Sequence, residues 1–472
     1  MEWPSSVTGH RVFFFFWRPY SGGLSDFGRW VATILTEFHP VAGRIQENSL
    51  VDCNDAGAEF IEARVHARLT QIIKEPKMEE LKQFLPVETL SYQTEKAILS
   101  VKITFFDCGG IAVGVCLSHK IADGTSLVAF MNAWAATCRD QVIGPEPRFD
   151  MAAHFPPMDL SGASGFTPSI GVTKDKITTK RFVFDEEKLS KLKQLAGGDD
   201  VKNPTRVEAV SAFIWRHFID AAKAKAKLLL GDDIINKLKT SSFVAVHAVN
   251  MRPRANPQIP EHAFGNCWRP GFAFLEDDCD IVNKLRDAIR EIDEGYVNKV
   301  QNGEYLRLLS KSVDLVKGDD VEICNFSSWC RFPMYEVDFG WGKPVWVCTT
   351  TLPFKNLVIL MSTPCGGGIE AWVNVPHDEL NMLQTHYDLL GSVTWGLIQG
   401  KCRASYNAKR NTMQTWATNT TTNVGVSDVD KVGIAGISSE HWHTLINFLN
   451  SGKIEATKKL IGKHSLYTGL SI

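Results

Sequence analysis

Ser118-His119-Lys120-Ile121-Ala122-Asp123-Gly124 is the stretch of this chain best equipped for chemistry. It follows Ala112 to Leu117, an uninterrupted apolar run that reads as a buried strand. It precedes Leu127, Met131, Trp134 and Cys138, which recur at helical spacing. A histidine leaving a sheet edge on such a loop can turn its imidazole to a cavity and act as a general base near neutral pH. Its four-residue offset from Asp123 admits several arrangements. On one helix the two would share a face and could hold a metal, but no third ligand lies nearby and Gly124 favours a turn, so no metal is expected. Asp123 can instead support the loop, toward His119 or toward a distant arginine. A lone histidine in a loop can also be structural, and Ser118 beside it leaves a covalent serine route open.

The second dense stretch is Tyr335-Glu336-Val337-Asp338-Phe339-Gly340-Trp341-Gly342-Lys343-Pro344. Two glycines flanking Trp341 let the backbone approach another segment closely, while Phe339 and Trp341 supply anchoring surface. This reads as a rigid turn before a strand. Asp338-Phe339-Gly340 is also the kinase metal-binding triplet, but the chain lacks a His-Arg-Asp catalytic loop and a preceding glycine-rich phosphate loop, which excludes a kinase. Gly366 to Gly368 lacks the Lys-Ser/Thr of a phosphate loop and reads as a turn.

The elements that must position these residues alternate as in a mixed α/β protein. Asp185 is placed to cap one helix, and Val207, Val210, Ile214 and His217 form the face of another after Pro204-Thr205. The Pro/Gly/Ser-rich stretch within about 150–180 predicts a crossover between an N-terminal domain (1–165) and a C-terminal one (166–395). Strands are predicted at Val345 to Thr350, Leu357 to Met361 and Ile369 to Val375, together an antiparallel-looking sheet region. Residues 396–472 read as a partly disordered tail. Within it Asn407 to Val426 is polar and aperiodic, and Trp442, Leu445, Ile446 and Leu449 stripe a short helix.

Composition narrows the partners. The 472 residues carry 51 Lys plus Arg against 53 Asp plus Glu, a net charge of −2 that offers no basic excess for nucleic acid or an anionic membrane. Val12 to Trp17 is the longest apolar-aromatic run and is far too short to span a bilayer. The 13 tryptophans suit large buried aromatic surfaces or a roomy apolar pocket. The 11 cysteines are scattered and never spaced as C-x-x-C, which argues against a disulfide scaffold and a structural zinc site. Met1-Glu2-Trp3-Pro4 opens no secretory signal, so a cytoplasmic location is expected.

In this order, the two motifs resemble the BAHD family of plant coenzyme-A-dependent acyltransferases, which carries His-x-x-x-Asp in mid-chain and Asp-Phe-Gly-Trp-Gly toward the end. Both are complete, at His119/Asp123 and Asp338 to Gly342. Phe38 to Arg44, Val249 to Arg254 and Phe264-Gly265-Asn266 also look like the family, and the resemblance spans about residues 12 to 395. Ser327-Ser328-Trp329-Cys330-Arg331 and the His-Lys-Ile-Ala-Asp-Gly form are most similar to the vinorine synthase-like branch.

The resemblance implies two chloramphenicol-acetyltransferase-like α/β domains with mixed sheets and a tunnel between them. It implies an acyl group, expected to be acetyl, moved from acyl-CoA to a hydroxyl of a plant specialised metabolite such as an alkaloid. His119 would be the catalytic base in the tunnel. Asp123 would point away and pair with Arg252, with Arg254 the next choice, while Asp338, Gly340, Trp341 and Gly342 would be structural. Acyl-CoA would be a co-substrate with no permanently bound cofactor, its binding residues unassigned, and the protein is expected to be a monomer. Members carry further residues, including a first strand, ahead of the region matching Val12, and Met1 to Arg11 do not match, so an exposed sheet edge is expected. The tail has no counterpart in the family, and Gly436 to Ser451 looks like Copia-type retrotransposon sequence. The alternative is a truncated, non-catalytic paralogue or fusion remnant.

Overall fold

Val12 to Phe16 are completely buried, and the strand they form lies inside a sheet. The fold was obtained as a computed structural model. It describes residues 9–17, 25–46, 50–86, 97–142, 144–156, 176–198, 201–230, 243–275, 281–308, 316, 321–377, 394–395 and 459–460. Residues 157–175 of the expected crossover, and the tail's polar stretch and Trp442 helix, lie outside the described residues.

In chain order the strands are β1 (Gly9–Phe16), β2 (Arg44–Gln46), β3 (Leu50–Asp52), β4 (Glu59–Val65), β5 (Leu99–Phe106), β6 (Ile111–Ser118), β7 (Ile177–Phe184), β8 (Phe243–Asn250), β9 (Trp268–Phe274), β10 (Glu322–Ser328), β11 (Trp346–Cys348), β12 (Leu357–Ser362), β13 (Ile369–Pro376), β14 (Thr394–Trp395) and β15 (Lys459–Leu460). The helices are α1 (Ser25–Glu37), α2 (Leu69–Lys74), α3 (Met78–Lys82), α4 (Gly124–Thr137), α5 (Met151–His154), α6 (Glu186–Ala196), α7 (Arg206–Leu230), α8 (Ile281–Arg290) and α9 (Glu294–Gln301). Asp185 caps α6 by accepting from the Lys188 N–H, as its position predicts.

Two mixed sheets organise the molecule. The first runs β11-β1-β6-β5-β4-β15 and the second β14-β7-β13-β12-β10-β8-β9. The region read as one antiparallel sheet is therefore split. β12 pairs antiparallel with β13 but parallel with β10, and β11 leaves for the first sheet, antiparallel to β1. The reason is aromatic packing: Trp346 of β11 stacks on Phe15 of β1, with ring centroids 5.4 Å apart. Among the described residues, the edge beyond β4 carries only β15, which pairs with Glu59 and Phe60. Exposed Glu62 and Arg64 mark the rest of that strand, charges that discourage pairing with another chain.

The two sheets meet at a buried ion pair. Arg181 of β7 donates from Nε and Nη2 to the two carboxylate oxygens of Glu370 on β13, both at 2.7 Å. Trp346 donates its indole N–H to the same carboxylate at 3.3 Å and lies beneath the guanidinium. Glu370 thus has its lone pairs met from both sheets, which a carboxylate this deeply buried requires. Among the described residues no helix is long and apolar enough to cross a membrane.

Candidate active site

A cavity of about 1660 Å³ opens between residues of both sheets. Its lining includes His10 and Arg11 of β1, His119, Lys120 and Asp123 after β6, Asn266 and Trp268 at the start of β9, and Ser327 to Arg331 around the end of β10. Ser118 is absent from that lining, although it adjoins His119.

One amide engages both the ring and the backbone of His119. Asn266 donates from Nδ2 to the His119 carbonyl oxygen at 2.7 Å, which sets which end of the amide faces the ring. Its Oδ1 then lies 3.0 Å from His119 Nδ1. An amide oxygen can only accept, so Nδ1 carries the proton and Nε2 keeps its lone pair. Burial lowers the His119 pKa, and the Asp123 charge and the Asn266 hydrogen bond oppose that shift without overcoming it. A neutral imidazole with a free Nε2 is the form a general base requires.

Asp123 does not face the base. It caps α4, its Oδ1 accepting from the Ser126 N–H at 2.9 Å, and its Oδ2 accepts from the Cys267 N–H at 3.0 Å. The Arg252 guanidinium donates to both carboxylate oxygens, at 2.6 and 3.2 Å. That guanidinium is itself only 1% exposed and also donates to the carbonyls of Ala263 and Gly265, at 3.0 and 2.9 Å. Gly265 and Cys267 flank Asn266, so the ion pair holds in place the residue that orients His119. Arg254 is engaged elsewhere, donating to the carbonyls of Ile289 and Ile292.

Asp338 to Gly342 lies outside the cavity lining. Asp338 Oδ1 accepts from the N–H groups of Gly340 and Gly342, at 2.8 and 2.9 Å, closing a turn. Both glycines have positive φ, +100° and +106°, where a side chain would be strained. The turn drives Phe339 and Trp341, stacked at 5.2 Å, into the core of the first sheet, where both meet Phe16.

Comparison with known proteins decides the family. The model of the Transferase family matches residues 30–390. Stemmadenine O-acetyltransferase of Catharanthus roseus is 45% identical over 371 residues, covering 76% of this chain and 82% of that protein. Vinorine synthase of Rauvolfia serpentina is 42% identical over 369 residues, covering 75% and 81%. A crystal structure of vinorine synthase superposes with a TM-score of 0.68 at 38% identity, covering 82% of this chain and 91% of that one. The chain belongs to the BAHD acyltransferase family.

The BAHD fold, two α/β domains related to chloramphenicol acetyltransferase, accounts for the paired sheets, and the chain is an O-acyltransferase. A non-catalytic remnant is not favoured by matches of this extent. In the sequence Asn266 stands out only within the family-like stretch Phe264-Gly265-Asn266, and His10, which lies against His119 with ring centroids 4.1 Å apart, belongs to no motif. Among the described residues no three His, Cys, Asp or Glu side chains gather to hold a metal. The nine cysteines that are described carry free thiols.

The buried histidines predict an acid-sensitive fold. Burial lowers the pKa of His10, His119 and His247, the last to about 4, from an ordinary 6.5. The unfolded chain then takes up protons first as the pH falls, so the stability contributed is full above about 6.5 and is lost on the way down to about 4. Thermal melts across that window should show a falling melting temperature. A flat profile would contradict the burial of these rings.

Proposed function

We propose that this acyltransferase moves an acetyl group from acetyl-CoA to a hydroxyl of a plant specialised metabolite, with an alkaloid alcohol the first acceptor class to test. The observation that carries the reading is His119, neutral, with Nδ1–H held by Asn266 and Nε2 unengaged among the described residues, beside a cavity of about 1660 Å³. That space suits two bound substrates, being larger than the usual single-ligand site of about 300–1,000 Å³. Relatives named stemmadenine O-acetyltransferase and vinorine synthase support the alkaloid class. Family membership supports coenzyme A as the carrier.

In this mechanism His119 Nε2 takes the hydroxyl proton as the acceptor oxygen attacks the thioester carbonyl. The carbonyl π electrons move onto oxygen, giving a tetrahedral oxyanion. Its collapse re-forms the carbonyl, breaks the carbon–sulfur bond and expels the CoA thiolate, which takes the proton from His119. Asn266 keeps the imidazole in the productive tautomer and accepts from the imidazolium while it is charged. Holding both substrates beside one base removes much of the entropic part of the barrier. Asp123 and Arg252 act at one remove, through the backbone on either side of Asn266, and the Asp338 turn acts through the core.

The reading also takes the enzyme to be a cytoplasmic monomer without a resident cofactor. The deciding test is release of free thiol from acetyl-CoA with a panel of alkaloid and phenolic alcohols, with mass spectrometry of the product. An acetylated alcohol is expected. Thiol release no faster than buffer hydrolysis across the panel would overturn the proposal.

A further inference from the structure

We propose that His10 is a positioning residue for the transfer, an imidazole packed on one face of His119 that shields the base from water and fixes the direction of its Nε2. This rests on the reading of His119 as the base. Pairing of β1 with β6 brings the two histidines together, because Gly9 lies opposite Ser118 and His10 opposite Leu117, at the point where β6 gives way to the His119 loop. The rings face each other at 4.1 Å with 30° between their planes. Trp329 meets His10 edge-on at 5.8 Å, and Trp268 stands 6.0 Å from His119. The base is thus bounded by His10, Trp268 and the Asn266 amide.

His10 is itself anchored. Its Nε2 lies 3.1 Å from the carbonyl oxygen of Ala122. A carbonyl accepts only, so Nε2 carries the proton and donates, tying β1 to the far end of the His119 loop. One tether therefore spans the loop between the base and Asp123. His10 is neutral for the same reason that it shields well: burial, and secondarily the charge His119 can acquire, hold its pKa well below the ordinary value. The charges around the pair are few. Asp123 favours a charged His119 but is engaged by Arg252; Lys120 follows His119 in the loop; Arg11 follows His10 and donates to the Thr351 carbonyl at 3.4 Å. Asn266, Trp268 and Trp329 bring no charge.

Removing the ring should open one face of His119 to water and let the base swing. His10→Ala is expected to lower kcat by about 10–100-fold, the scale of a misplacement near 1 Å. It should also move the acid limb of the kcat/KM profile to higher pH, toward the ordinary imidazole value, since burial is what lowers the His119 pKa. His10→Phe keeps an aromatic ring over His119 and should hold the acid limb near its wild-type position. The experiment measures pH profiles for wild type, His10→Ala and His10→Phe with acetyl-CoA and an alcohol the wild type acetylates, together with melting temperatures. The His119 imidazole is titrated by NMR in the same proteins, which reads the shift without turnover. An acid limb and an NMR pKa that do not move in folded His10→Ala would overturn the proposal, as would a rate loss no larger than the loss of folded protein. His119→Ala run alongside separates the two readings. Activity retained there unseats the base and with it this role of His10, whereas inactive His119→Ala beside an unmoved His10→Ala unseats His10 alone.

Discussion

Acyl transfer by His119→Ala should fall by about 10²–10⁴-fold, the typical contribution of a positioned general base, with little change in melting temperature. The side chain is half-buried and turned to the cavity rather than to either core, so its loss removes little packing. The tether from His10 to Ala122 and the bond from Asn266 to the residue-119 carbonyl involve no atom of the deleted ring, so the loop should keep its course. The residual rate should lose the acid limb that a titrating base imposes, because no other neutral imidazole with a free nitrogen is tied into the site by Asn266. Steady-state thiol release and a thermal melt on one preparation check both halves. Turnover within a few-fold of wild type would remove His119 from the mechanism and turn attention to the remaining cavity wall.

How much of this was legible in the sequence varies with the range of the interaction involved. The strand before His119 and the helix after Asp123 follow from local periodicity, whereas the capping bond from Asp123 to the Ser126 N–H emerges only in the fold. The turn at Asp338 follows from Gly340 and Gly342, whose conformations few other residues tolerate. Sheet membership does not follow. Trp346 lies in a run that looks like its neighbours β12 and β13, yet it crosses to the first sheet because its partner is Phe15, more than 300 residues earlier. His10 shows the same limit more sharply. Nothing in Gly9-His10-Arg11 marks chemistry, and the residue acquires meaning only when β1 pairs with β6 over more than 100 residues. Asn266 had a faint local signal, a polar amide between Gly265 and Cys267 just before a strand. Its role depends on an amide direction that only the His119 carbonyl reveals.

The Asp123 and Arg252 pair should behave differently from His119, because both members are buried and each satisfies the other. Removing one partner leaves a buried charge unpaired, which typically costs about 3–5 kcal/mol. Asp123→Ala would strand a guanidinium that is 1% exposed, and would also orphan the N–H groups of Ser126 and Cys267. Arg252→Ala would strand the carboxylate and release the carbonyls of Ala263 and Gly265. Each variant should therefore lose melting temperature and activity together, the activity because Gly265 and Cys267 carry Asn266 between them and Asn266 carries the tautomer of His119. The two losses should not add. Once the carboxylate is gone, deleting the guanidinium removes a liability, so the double variant should be more stable than the sum of the single losses predicts. Chemical denaturation of the four proteins in the cycle, read as midpoints with a common slope, measures the coupling. Strictly additive losses would mean that Asp123 is held chiefly by its backbone donors, and that the contacts at 2.6 and 3.2 Å contribute geometry but little energy.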